Sequence, residues 1–122
     1  MQIKGRNASG ATEAYSKETV MDKIAMLTQI LEQNPADAFA RYGLAMEHAN
    51  QGRTEPALAE FDRLLTTHPD YTAGYFMSAQ TLVKAGRADE AKARLEQGIA
   101  SAQRTGNRHA LSEMEALLME LE

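Results

Sequence analysis

Three histidines, His48, His68 and His109, are the first places to look for chemistry in this chain of 122 residues. A metal site needs ligands that converge, and two helical ligands converge when they stand about four positions apart on one face. No two of these histidines are so spaced, and none belongs to an HExxH pattern. His48 is expected in the seam of a helix hairpin, His68 in a loop, and His109 solvated in the first turn of a helix. No metal site is predicted. The chain has no cysteine, which excludes a thiol nucleophile, a disulfide framework and any Cys-based zinc or iron–sulfur site. No serine lies in GxSxG, and no glycine-rich phosphate loop occurs. The carboxylates are scattered. Asp89-Glu90 and Glu113/Glu115 suit a solvated helix surface better than an acid/base dyad, because a perturbed carboxylate requires a buried pocket. No residue emerges to carry catalysis, and neither an enzyme activity nor a cofactor is expected. Lys and Arg number 13 against 17 Asp and Glu, a net charge of −4. Nucleic-acid phosphates demand clustered positive charge, so no nucleic-acid partner is expected.

The elements that hold these residues are all helical. Val20, Ile24, Leu27 and Leu31 fall in steps of three and four, one stripe of an α-helix over residues 17–34. Ser16 is its candidate N-cap, and Pro35 ends it by pushing Asn34 out of the helical region. A second helix runs from about Asp37 to Asn50, with Gly52 after it. Thr54 is read as the cap of a third helix, with Pro56 in its first turn, and His68-Pro69-Asp70 breaks the chain again. A fourth helix covers about Tyr71 to Ala85, with Gly86 after it, and a fifth about Ala88 to Arg104. Thr105-Gly106-Asn107 makes a turn, and Asn107 caps a last helix bearing Ala110, Leu111, Met114, Leu117, Leu118 and Leu121. No segment alternates long enough to be a strand, so the fold class is all-α. Residues 1–16 read as a flexible tail, native or a vector remnant, and 121–122 could share a vector origin. No run approaches the roughly 20 apolar residues of a membrane span, and the N-terminus lacks the apolar core of a signal peptide. The default expectation is cytoplasmic, with no membrane partner.

The sequence repeats itself at a spacing of 34 residues. Leu27, Phe61 and Leu95 obey it. So do Leu31, Leu65 and Ile99, and the pairs Pro35/Pro69, Ala45/Ala79, Gly52/Gly86 and Ala57/Ala91. GRTEPALAEF aligns directly with GRADEAKARL. The glycines sit where a hairpin turns, the alanines where two helices approach closely, and the large apolar residues where a core must be filled. A 34-residue helix–turn–helix unit resembles the tetratricopeptide repeat. Leu44-Ala45 and Ser78-Ala79 stand at that family's small pair, and Phe61 and Leu95 at its second-helix aromatic. Departures are Arg41 and Tyr75 at its early tryptophan, His48 and Leu82 at its mid-helix tyrosine, Leu64 and Gly98 at a small position, and Gln103 in place of the closing proline. The resemblance covers residues 17–122: an N-terminal helix (17–34), repeats at 38–71 and 72–105, and a C-terminal capping helix (107–121). It implies a right-handed α-α superhelix of about six helices. Two repeats are close to the minimum for a stable array, so both flanking helices are read as caps, the last one covering Leu95 and Ile99.

In this family the first helix of each unit lines the concave surface. Carried over by position, that surface holds Phe39, Tyr42, Met46 and Asn50 from one unit and Phe76, Gln80, Val83 and Lys84 from the next. Ala110, Met114 and Leu117 would join from the last helix, and Tyr71 from a loop. The resemblance therefore implies a bacterial-type, non-catalytic interaction module that takes a hydrophobic or amphipathic protein segment in an apolar-aromatic groove. Family members that clamp acidic chaperone tails use basic groove residues. Phe39, Gly43, Ala73 and Met77 stand at those positions here, so that role is disfavoured. A self-associating structural protein or a regulatory subunit, its groove filled by the terminal helix, the tail or a homodimer, stays open as the alternative. A helical enzyme subunit would need a converging polar pocket that the sequence does not display.

Overall fold

The computed structural model describes residues 19–122. The expected tail, Ser16 and the start of the first helix lie outside the described residues. Six α-helices follow one another: α1 Val20–Gln33, α2 Ala38–Asn50, α3 Thr54–Thr67, α4 Thr72–Lys84, α5 Ala88–Thr105 and α6 Arg108–Leu121. No strand occurs among the described residues. Local chemistry sets several ends. Asp37 and Asn107 each accept a backbone N–H three residues on, from Ala40 at 3.0 Å and Ala110 at 3.1 Å. These bonds satisfy donors that the first helical turn leaves free. Asn34 leaves the helix before Pro35, as the proline requires. One expectation is corrected: Thr54 is the first residue of α3, and Arg53 precedes it as the N-cap without any side-chain capping bond. A proline two residues after Thr54 already suits a first turn, and no capping hydroxyl is recruited.

The two hairpins are equivalent in detail. Gly52 and Gly86 both adopt positive φ, 74° and 76°, a region that a side chain would strain. Arg53 and Arg87 then donate their N–H groups back to His48 and Leu82 carbonyls, each at 2.9 Å. Ala45, Ala57, Ala79 and Ala91 are all fully buried, so the small residues do mark the close helix approaches. The departures from the family pattern perform a common task. Arg41 and Tyr75 occupy the same repeat position, and each donates to the carbonyl of the proline before its helix, Pro35 at 3.1 Å and Pro69 at 2.7 Å.

The helices form two layers. α2 touches α4 and α4 touches α6, whereas α1, α3 and α5 make no backbone approach to one another. A layer in contact beneath a layer that is splayed must curve, with α2, α4 and α6 on the inside. Side chains span the outer gap between α3 and α5. Arg87 reaches Glu55 at 2.6 Å, Arg94 reaches Asp62, and Arg104 reaches Asp70 at 2.7 Å. Hydrogen bonds donated to Glu90 and Glu55 hold the Arg87 guanidinium more firmly protonated than usual, and Arg87 in turn holds the Glu90 carboxyl below the ordinary carboxylate range. The largest buried side chains, Phe61, Leu64, Leu95 and Met114, lie between the layers.

Candidate functional site: the inner face

Helix starts reveal how the inner layer is phased. α2, α4 and α6 begin at Ala38, Thr72 and Arg108, a step of 34 residues and then one of 36. The cause is local. Where α3 stops before Pro69, α5 has Gln103 and no proline, so it runs on to Thr105. Gly106 ends it in the left-handed region at φ 69°, the common glycine stop. Two extra residues rotate a helix by about 200° at 3.6 residues per turn. Residues of α6 that a uniform spacing would aim into the groove therefore aim into the core.

This corrects one expectation. Met114 does not line the inner face; it is fully buried, packed on Gly98 and Tyr75. Ala110 and Leu117, half-buried, also pack against that core. In the 36-residue register Ala110, Leu111, Met114, Leu117 and Leu118 match Gly74, Tyr75, Ser78, Thr81 and Leu82, every one buried in α4. The same register places His109, Ser112, Glu113, Ala116, Met119 and Glu120 as the third row of the inner face, and all six are exposed. Uniform spacing misses this row. The signal that finds it is the distance between caps, Tyr71 to Asn107, together with the missing proline at Gln103.

The eight residues placed on the inner face by the sequence fall into three groups. Phe39 stands out into solvent at 77% exposure. Tyr42, Phe76 and Val83 are half-buried against the core. Tyr42 meets the Phe61 ring edge-on at 6.4 Å between centroids and the Tyr71 ring at 5.3 Å, so Tyr71 does join this surface. Burial pushes both phenols above their usual pKa. The Tyr71 charge adds to the effect on Tyr42, and the Asp37 charge to that on Tyr71. Met46, Asn50, Gln80 and Lys84 converge, with Met77, around a pocket of about 280 Å3 between the C-terminal ends of α2 and α4.

The residues considered for catalysis lie elsewhere. His48 is half-buried, its Nδ1 enclosed without a hydrogen-bond partner. His68 caps the end of α3. His109 is 86% exposed and stands 3.5 Å from Glu113. Among the described residues no group of three His, Asp or Glu side chains is placed to hold a metal ion, and no helix is long and apolar enough to cross a membrane.

The family model of the tetratricopeptide repeat matches residues 48–114, more than half of the chain. A TPR repeat-containing protein of Pseudomonas aeruginosa is 29% identical over 96 residues, which are 79% of this chain and 91% of that protein. A tetratricopeptide repeat domain protein from Salinibacter ruber superposes with a TM-score of 0.68 at 35% identity, covering 73% of this chain and 90% of its own. PcrH, solved in complex with the chaperone-binding region of PopD, gives a TM-score of 0.78 over 98% of this chain and 91% of its own. At 16% identity that likeness is one of fold alone.

Proposed function

This chain belongs to the tetratricopeptide repeat family, and on that premise we propose that it is a non-catalytic interaction module whose inner face takes up an apolar or amphipathic segment of another protein. One observation carries the reading. The two most exposed large apolar side chains among the described residues, Phe39 at 77% and Met119 at 76%, both stand at inner-face positions, at opposite corners of a surface that Tyr42, Met46, Phe76 and Met77 floor. Water leaves such a surface favourably, at about 25 cal/mol for each Å2 buried, and aromatic and methionine side chains adapt to a ligand's shape. α6 touches α4 and α5 but not α2, so it extends this surface rather than lying across it. PcrH, in the same fold, was solved with a segment of PopD, which supports the reading by analogy.

Tyr42→Ala combined with Phe76→Ala tests it, with an amphipathic leucine/phenylalanine peptide as the probe. Both side chains are only half-buried, so the expected outcome is at least a tenfold loss of peptide affinity with the helical circular dichroism retained. Unchanged affinity in a folded double variant overturns the groove. A second reading, self-association, draws on α1. Met26 and Ile30 are 55% and 38% exposed, whereas Glu60 and Leu64, their equivalents in α3, are covered by packing. Sedimentation at two concentrations decides it: a molecular mass that rises with concentration in the wild type and not in Met26→Ser/Ile30→Ser supports a dimer at that edge.

A further inference from the structure

We infer that the pocket between α2 and α4 anchors an acidic side chain of the bound segment, held by Lys84 with Asn50 and Gln80, so that the partner presents a glutamate or aspartate next to its apolar residues. The inference rests on the groove reading and adds a charge requirement to it. The pocket measures about 280 Å3, several times the roughly 30 Å3 that one water occupies in the liquid, which leaves room for a carboxylate side chain. Its walls include Met46 and Met77, and its polar rim is supplied by Asn50, Thr54, Gln80 and Lys84. The hydroxyl of Thr81 is already committed, donating to the Met77 carbonyl at 2.8 Å. The donors left for a guest include two amides, the Thr54 hydroxyl and an ammonium, a set that matches a carboxylate.

Charge balance points the same way. Lys23, Arg41, Arg63, Arg87, Arg94 and Arg104 each have a carboxylate within 4.0 Å. Among the described residues Arg53, Lys84, Lys92 and Arg108 have none that close, and of these Lys84 rims the pocket. Glu120 is its register neighbour on α6 and is exposed. A carboxylate at that register position would draw on the same ammonium only at longer range, and would repel an acidic guest that strays toward α6. The guest carboxylate is thereby directed to the α2 side of Lys84, into the pocket.

The test uses the full chain and C-terminally amidated amphipathic peptides, so that no terminal carboxylate is present. All share one leucine/phenylalanine stripe, and a single Glu, Gln or Lys is walked along the polar face. At one position the Glu peptide should bind roughly fivefold more tightly than the Lys peptide, the scale of one accessible charge pair. Lys84→Glu should reverse that order at that position. Lys84→Gln should level Glu with Gln, and Glu120→Gln should strengthen the Glu peptide about twofold. Binding that ignores the walked charge, or an order that Lys84→Glu leaves intact, overturns the inference while the groove reading stands. Binding by none of the peptides overturns both. Loss of all three peptides alike in the Tyr42/Phe76 double variant, with the charge order set by Lys84, supports both.

Discussion

The junction between α2–α3 and α4 and the junction between α4–α5 and α6 interlock by the same rule with the sizes reversed. At the first, the outer helix supplies the bulk: Leu64 is fully buried and faces Gly74, where an added Cβ would lie 3.0 Å from Leu64 and Leu65 side-chain tips. At the second, the outer helix supplies the gap. Gly98, the repeat equivalent of Leu64, leaves room for Met114 and for Tyr75, whose Cβ would lie 2.6 Å from a Cβ on Gly98. Interiors are packed to crystal-like density, so either arrangement holds only while bulk on one side meets a gap on the other. Identical repeats are thus not required for a regular stack; compensated pairs suffice. The price of compensation is that neither junction tolerates the other's residue.

Removing the second junction altogether has the largest expected effect. Truncation after Gly106 takes away the fully buried Met114 and uncovers Tyr75 and Gly98. Each large apolar side chain returned to water costs about 2 kcal/mol, and two repeats have little stability in reserve. Thermal unfolding should shift downward by well over 10 °C, since about 1 kcal/mol moves a domain of this size by roughly 4–8 °C. An unchanged melting temperature would show that α6 seals nothing.

A finer contrast comes from adding one methyl group to each junction. Gly98→Ala presses against Tyr75 close to its backbone, and urea denaturation should report a loss in the upper part of the roughly 1–3 kcal/mol expected of overpacking. Gly74→Ala presses only on leucine tips that can rotate. There the helix propensity gained by alanine, about 1 kcal/mol, offsets the crowding, so the net change should stay within about 1 kcal/mol. Equal losses at the two sites would remove the asymmetry between the junctions.

Alkaline pH should separate the junctions with the smallest effect. The first is bridged by Tyr42 and Tyr71, both with raised pKa values; Phe76 and Asn107 stand at the equivalent places in the second. A raised folded-state pKa adds stability that is full below the unfolded tyrosine value of about 10 and is lost as pH rises through the folded value. Urea midpoints should therefore be flat up to about pH 9 and fall above pH 10. Tyr42→Phe with Tyr71→Phe should flatten that decline; a decline of unchanged depth would place the alkaline loss elsewhere.

Much of the fold is legible along the chain because its signals are local. Pro35, Asp37, Asn107 and the glycines at 52 and 86 each act within a few residues, through a forbidden conformation, a capping bond or a positive φ. The 34-residue spacing extends those signals to the pairing of helices, and Phe39, Tyr42, Met46 and Phe76 follow from it as inner-face residues. Thr54 shows the limit at one position, since a capping residue type does not ensure a capping bond.

The sequence by itself determined six helices, two equivalent hairpins and the first two rows of the inner face, because caps, breakers and helical periodicity depend on near neighbours alone. Only the tertiary structure decided that Met114 seals the core and that four separated residues meet around one pocket; the cap distance and the missing proline at Gln103 point to a turned α6, but its buried side shows only in the packing. The reason is rotational. A step between helices that is two residues longer leaves the caps and periodicity of α6 intact yet turns that helix by about 200°, and the side that then faces inward is chosen by what Gly98 and Tyr75 leave room for.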